Sequence, residues 1–149
     1  MFNKHELNKL YRYATALSGD DIIAYDLVHD AVVKMSGRFI IKKNAYAKQV
    51  IRTGFYDYYN REKKKNELSE LDNNKGFSRN IEELLVERDL THEALAKVSP
   101  KNREILYLLF VEEYTYRELS KFLKIKQGTL LSIVHRLKKN LQEKRGDNE

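Results

Sequence analysis

The sequence predicts an all-α protein built as two small helical domains joined by a polar linker. Three observations predict it. Apolar residues recur every three or four positions along most of the chain, the spacing of one helix face. Breakers are scarce, with one Pro and six Gly in 149 residues, while Leu, Ile, Lys and Glu are plentiful. One polar stretch, residues 66–80, carries Asp72-Asn73-Asn74-Lys75-Gly76 and interrupts the periodicity. The expected domains are therefore 1–65 and 81–149, with 66–80 as the linker. Their apolar patterns differ, so the two halves are not an internal repeat.

In the first half, Leu7, Leu10, Tyr11, Ala14 and Leu17 recur at helical spacing. Ser18-Gly19-Asp20-Asp21 breaks the pattern, and Asp20 or Asp21 suits the N-cap of the next helix. Ala24, Leu27, Val28, Ala31, Val32 and Met35 form the second stripe, which Ser36-Gly37 ends. Arg38 to Asn44 reads as a loop containing Phe39, Ile40 and Ile41. A third helix is expected from about Ala45 to Tyr59, with Val50, Ile51, Phe55 and Tyr58 inward. It is expected to dissolve into Arg61-Glu62-Lys63-Lys64-Lys65.

The second half resumes as helix at Ile81 to Lys97. Ser99 suits an N-cap and Pro100 a first helical position. Ile105, Leu106, Leu108, Leu109 and Phe110 are expected to pack inward. Thr115-Tyr116-Arg117-Glu118 is a capping box, opening a short helix that carries Leu119, Phe122 and Leu123. The turn Lys124-Ile125-Lys126 leads to a last helix from Gln127 or Gly128 to about Lys144. Its inward face is Leu130, Val134, Leu137 and Leu141.

Composition narrows the function. The formal net charge is +6, which suits a polyanionic partner, nucleic acid being the commonest. The plainer alternative is a helical protein with a Lys-rich solvated surface. The chain has no cysteine, which excludes disulfides and Cys-based zinc sites. His5, His29, His92 and His135 are scattered, and no metal or other cofactor is expected. The first residues lack the apolar core of a signal peptide, and the longest apolar run, Ile105 to Val111, is too short to span a membrane. A cytoplasmic protein is expected.

A short capped helix, a tight turn and a longer helix form a helix-turn-helix, whose second helix fits the DNA major groove. With Leu130, Val134 and Leu137 inward, the opposite face carries Gln127, Gly128, Leu131, Ser132, His135 and Lys139. Arg136, Lys138 and Lys139 lie along the flank where phosphates run. The alternative is an ordinary trio of helices whose last turn is basic because cations suit a helix C-terminus. Upstream, Tyr46, Tyr56, Tyr58 and Tyr59 interleave with Lys48, Arg52, Arg61, Lys63, Lys64 and Lys65. Rings beside cations suit a single strand, bases stacking while cations follow phosphates. Some of these tyrosines equally suit a core with the hydroxyl reaching water.

Two segments resemble one family. Val98-Ser99-Pro100-Lys101-Asn102-Arg103-Glu104-Ile105-Leu106, then Tyr114-Thr115-Tyr116-Arg117-Glu118-Leu119-Ser120 and Gly128-Thr129-Leu130, resemble the promoter-recognising C-terminal domain of extracytoplasmic-function sigma factors. Ala24-Tyr25-Asp26-Leu27-Val28-His29-Asp30 resembles that family's polymerase-binding helix, and the segment from Ala45 to Arg61 its promoter-melting helix. The chain departs from the family pattern with His29 in place of Gln or Glu, Thr53 in place of Asn, Tyr46 in place of Trp, and Leu131 and Ile133 where cations are frequent.

The resemblance implies a sigma factor that binds core RNA polymerase and directs promoter-specific initiation. Asp26, Leu27, His29 and Asp30 would face the clamp helices of the polymerase largest subunit. The loop from Ser36 to Asn44 would hold a flipped minus-10 base, and Tyr46, Lys48, Arg52, Tyr56, Asn60, Arg61, Lys63 and Lys64 the melted strand. Arg103, Arg117, Gln127, Thr129, Leu131, Ser132, His135 and Arg136 would meet the minus-35 duplex. The linker would thread toward the polymerase RNA-exit channel. Partners would be core polymerase, promoter DNA and an anti-sigma factor.

No catalytic set competes, and the chain is not expected to be an enzyme. There is no Gly-rich phosphate loop and no Cys nucleophile. Glu112-Glu113 reads as a solvated turn and Asp20-Asp21 as a cap. Two rivals stay open: a helix-turn-helix regulator that does not engage polymerase, and a polymerase-binding adaptor with Leu131 and Ile133 at its interface.

Overall fold

Helix caps set the frame. Asn3 accepts the Glu6 N–H on Oδ1 at 2.8 Å, satisfying a free donor at the start of α1, Lys4–Ser18. Gly19 stops α1 in the left-handed region at φ 69°, its N–H reaching the Thr15 carbonyl at 2.8 Å. Asp20 then caps α2, Asp21–Met35, its Oδ1 accepting from Ile22 N–H at 2.8 Å and Ile23 N–H at 3.1 Å. Of the two aspartates that suited the cap, Asp20 takes it. α3 spans Lys43–Lys65.

The computed structural model describes residues 2–65 and 98–146, with side chains through Asn140. The expected linker 66–80, the expected helix from Ile81 to Lys97, and the side chain of Leu141 lie outside the described residues. Among the described residues there are six helices and no strand, so the fold is all-α. The chain divides into two units, Met1–Ser78 and Arg79–Glu149.

In the first unit α1, α2 and α3 pack pairwise. Leu10, Tyr13, Ala14 and Leu17 of α1 meet Ala24, Leu27, Val28, Ala31 and Met35 of α2 and Ala47, Ile51 and Phe55 of α3, all buried. Burying each Leu, Ile, Phe or Met side chain contributes roughly 1.5–3 kcal/mol. The alanines and Gly54 let the backbones come close: a Cβ on Gly54 would stand 3.2 Å from Leu27 Cδ2. Leu7, Tyr11, Val32, Val50 and Tyr58, expected inward, are half-buried at the edge of this core.

α3 runs on through Lys65, past the expected end at Tyr59. Lys, Arg and Glu are good helix formers, and cations at the last turn face the negative end of the helix dipole. Arg61 Nε also donates to the Asp57 carbonyl at 3.4 Å.

In the second unit, α4 spans Pro100–Phe110, α5 Tyr116–Leu123 and α6 Gln127–Gly146, and the three pack on one another. Ser99 caps α4 through a 3.4 Å bond from Asn102 N–H, with Pro100 in the first turn. The capping box of α5 is complete: Thr115 Oγ1 accepts from Glu118 N–H at 3.0 Å, and Glu118 Oε1 from Thr115 N–H at 3.2 Å. Ile105, Leu106, Tyr107, Leu108, Leu119, Leu123, Leu130 and Val134 are buried. Leu109, Phe110, Phe122 and Leu137 are half-buried rather than enclosed, and Lys138 Nζ lies over the Phe110 ring at 5.1 Å.

Candidate functional site

The turn between α5 and α6 fixes how α6 is presented. Lys124 closes α5 in the left-handed region, at φ 59° and ψ 42°. Ser120 then grips the turn from both sides: its Oγ donates to the Ile125 carbonyl at 2.6 Å, and its carbonyl accepts from Ile125 N–H at 3.2 Å. α6 starts at Gln127, with Leu130 N–H bonded to the Lys126 carbonyl at 3.0 Å. Leu130 and Val134 anchor its inner side. Gln127, Gly128, Thr129, Leu131, Ser132, His135, Arg136 and Lys139 are all exposed, and so is Arg117 on α5.

Arg103 does not join them. It is only 6% exposed, within a run of buried residues from Arg103 to Leu108, so α4 is enclosed over more of its circumference than one stripe. Its expected place at the duplex is corrected: Arg103 is an interior residue.

On the first unit, Tyr46, Asn60, Arg61, Lys63 and Lys64 are exposed along α3, while Lys48, Arg52 and Tyr56 are half-buried. Cations lie on rings here: Lys48 Nζ is 5.9 Å from the Tyr13 centroid and the Arg52 guanidinium 4.9 Å from that of Tyr56. In the loop before α3, Phe39 is 94% exposed and Ile41 87%, beside exposed Arg38 and Lys42. Burial first, then Glu62 and Asp20, pushes the Tyr58 hydroxyl above its ordinary pKa, so it stays a protonated donor.

The exposed side of α2 carries Asp26, His29 and Asp30, as expected. Leu27 is the correction. It is buried against α3, because it stands three residues after Ala24 and four before Ala31, on the core side. In its place the surface shows Tyr25, from the same segment, together with Ile22 and Val33. With His29 these residues repeat at helical spacing opposite the core stripe, and that second period was visible in the sequence. Tyr25 stacks on Tyr11 at 5.9 Å and on His29 at 6.3 Å.

Among the described residues no group of three His, Asp or Glu is placed to hold a metal ion. No described helix is long and apolar enough to cross a membrane.

Residues 94–143 match the family described as sigma-70, region 4. The match spans 50 residues of the second unit. The helix-turn-helix of α5 and α6, as far as residue 143, lies within that match. The sigma factor RpoE from Bartonella quintana, solved in complex with the anti-sigma factor NepR, has a similar fold: TM-score 0.64, 21% identity, covering 93% of this chain and 91% of that one. No curated protein matches the chain by sequence. The second unit thus contains the stretch that resembles region 4, and the fold of the chain is similar to that of a solved sigma factor.

Proposed function

We propose that this chain binds core RNA polymerase in the cytoplasm and directs it to specific promoters, leaving the chemistry to the polymerase. The observation that carries the reading is the outer side of α6: within the region 4 match, every residue expected to face DNA from this helix is exposed, on a helix anchored by Leu130 and Val134.

The roles follow from charge and shape. α6, with Arg117, meets the minus-35 duplex; Arg136 takes phosphate and Gln127, Ser132 and His135 read base edges. The loop with Phe39 and Ile41 takes an extruded minus-10 base, and Tyr46, Arg52 and Tyr56, then Asn60, Arg61, Lys63 and Lys64, follow the open strand. Extrusion costs a few kcal/mol, and stacking of roughly 1–3 kcal/mol per base offsets it. The acidic side of α2 docks on the polymerase clamp helices. The linker passes toward the RNA-exit channel. An anti-sigma factor, the kind of partner found with RpoE, is the expected inhibitor.

In vitro transcription with core polymerase and a pool of genomic fragments, with start sites mapped, tests the proposal. Starts that share upstream elements and require this chain are expected. A chain that binds DNA but never supports initiation would be a regulator without sigma activity, and the proposal would fail.

A further inference from the structure

Leu131 is 51% exposed, and among the described residues of the second unit it is the one large hydrophobic side chain left exposed; the others, from Ile22 to Tyr46, belong to the first unit. Packing does not place it there. The inner side of α6 is filled by Leu130, fully buried, and Val134, 2% exposed. Leu131 instead stands in a row with exposed Gln127 and His135, each four residues from it. A Cβ on Gly128 would meet nothing within 4 Å, so the start of α6 is open to a close approach.

We propose that Leu131 selects a T·A base pair by packing on the thymine 5-methyl group. This rests on the reading of α6 as the duplex-facing helix and names a base contact within it. The major groove shows donors and acceptors on every pair, and thymine adds an apolar group, the methyl. An apolar side chain in that groove gains by covering that methyl, whereas facing a donor or acceptor it would strip water and return no hydrogen bond. Gln127 suits the N6 and N7 edge of adenine. One helical turn separates the two side chains, about 6 Å along α6, or roughly two base-pair steps. The pair therefore reads adenine and thymine at nearby positions.

The test selects duplexes from a random pool with the full chain, alone and with core polymerase. Each enriched thymine is then replaced by uracil, which keeps the pairing and loses the methyl. The expected result is one position where uracil weakens wild-type binding about fourfold, the effect of one buried methyl group. At that position Leu131→Ala should bind the thymine and uracil duplexes equally, both near the wild-type uracil value. Leu131 is exposed, so the variant should keep its helical signal and melting temperature. If uracil is tolerated everywhere, or weakens both proteins alike, Leu131 does not read thymine although the duplex reading stands. If Leu131→Ala weakens assembly with polymerase instead, its contact is with protein and the inference fails. If no sequence is enriched at all, the duplex reading fails with it.

Discussion

The imidazole of His29 lies parallel to the ring of Tyr25, 5° between planes and 6.3 Å between centroids. Tyr25 is 57% exposed, so this stack sits on the surface of α2, with Ile22 and Val33 further along the helix and Asp26 and Asp30 beside it. An apolar strip next to carboxylates is the makeup of a protein-binding face: an aromatic anchor supplies affinity, and charges set orientation and on-rate. Asp26→Arg with Asp30→Arg should abolish assembly with core polymerase while the circular dichroism spectrum and melting temperature stay unchanged, because both side chains are exposed. Tyr25→Ala should weaken assembly about tenfold or more, as loss of a tyrosine hot spot does. Gel filtration with core polymerase reads both. Full assembly by the double variant would remove α2 from the interface.

The approach of α3 to α2 at Gly54 tests the packing of the first unit. Alanine there gains about 1 kcal/mol of helix propensity but asks Leu27 to shift by a few tenths of an ångström. These effects nearly cancel, so Gly54→Ala should stay within about 1 kcal/mol of wild type. Gly54→Val adds branches that Leu27 cannot clear, and overpacking of this kind costs about 1–3 kcal/mol. Urea denaturation separates the two. Equal stability of both variants would mean that the helices stand further apart.

Much of this was legible in the sequence, for local reasons. Asp20, Ser99 with Pro100, and Thr115 with Glu118 cap helices through bonds spanning two or three residues, so the short-range pattern suffices to place them. The core stripes were legible because helical period maps directly onto a face. What was lost depends on enclosure. Arg103 carries a charge that reads as surface, and only the three-dimensional setting of α4 buries it. Leu27 belonged to the core stripe by its spacing from Ala24 and Ala31, and only the family resemblance turned it toward the polymerase. Phe39 and Ile41 lie in a loop, where no period indicates whether an apolar side chain points in or out.

Lys124 holds a left-handed conformation that disfavours any side chain with a Cβ, at a cost of roughly 1–2 kcal/mol. Its position in the turn of the helix-turn-helix makes that strain testable. Lys124→Gly should raise the stability of the second unit by about 1 kcal/mol, and Lys124→Val should lower it. DNA affinity should hardly change with glycine, since Ser120 still fixes the turn through Ile125. Thermal melting followed by a DNA-binding assay checks both. Destabilisation by glycine would show that the Lys124 side chain contributes more than its conformation costs.

Arg103 and Arg136 divide what an arginine can do in this domain. Arg136 is exposed on α6, and in the proposed role of a phosphate contact it would bind by releasing counterions rather than by reading sequence. Arg136→Ala should therefore weaken binding by a similar factor on selected and unselected duplexes. The slope of log affinity against log salt should become shallower by about 0.9, the share of one phosphate. Arg103, 6% exposed, has no such share. Its removal leaves a hole and disrupts a buried polar environment, so Arg103→Ala should lower the melting temperature while the folded fraction keeps the wild-type salt slope. Titrations at several salt concentrations, corrected for folded fraction, separate the two. A shallower slope for Arg103→Ala with an unchanged one for Arg136→Ala would reverse the assignment, placing the duplex against α4 instead of the flank of α6.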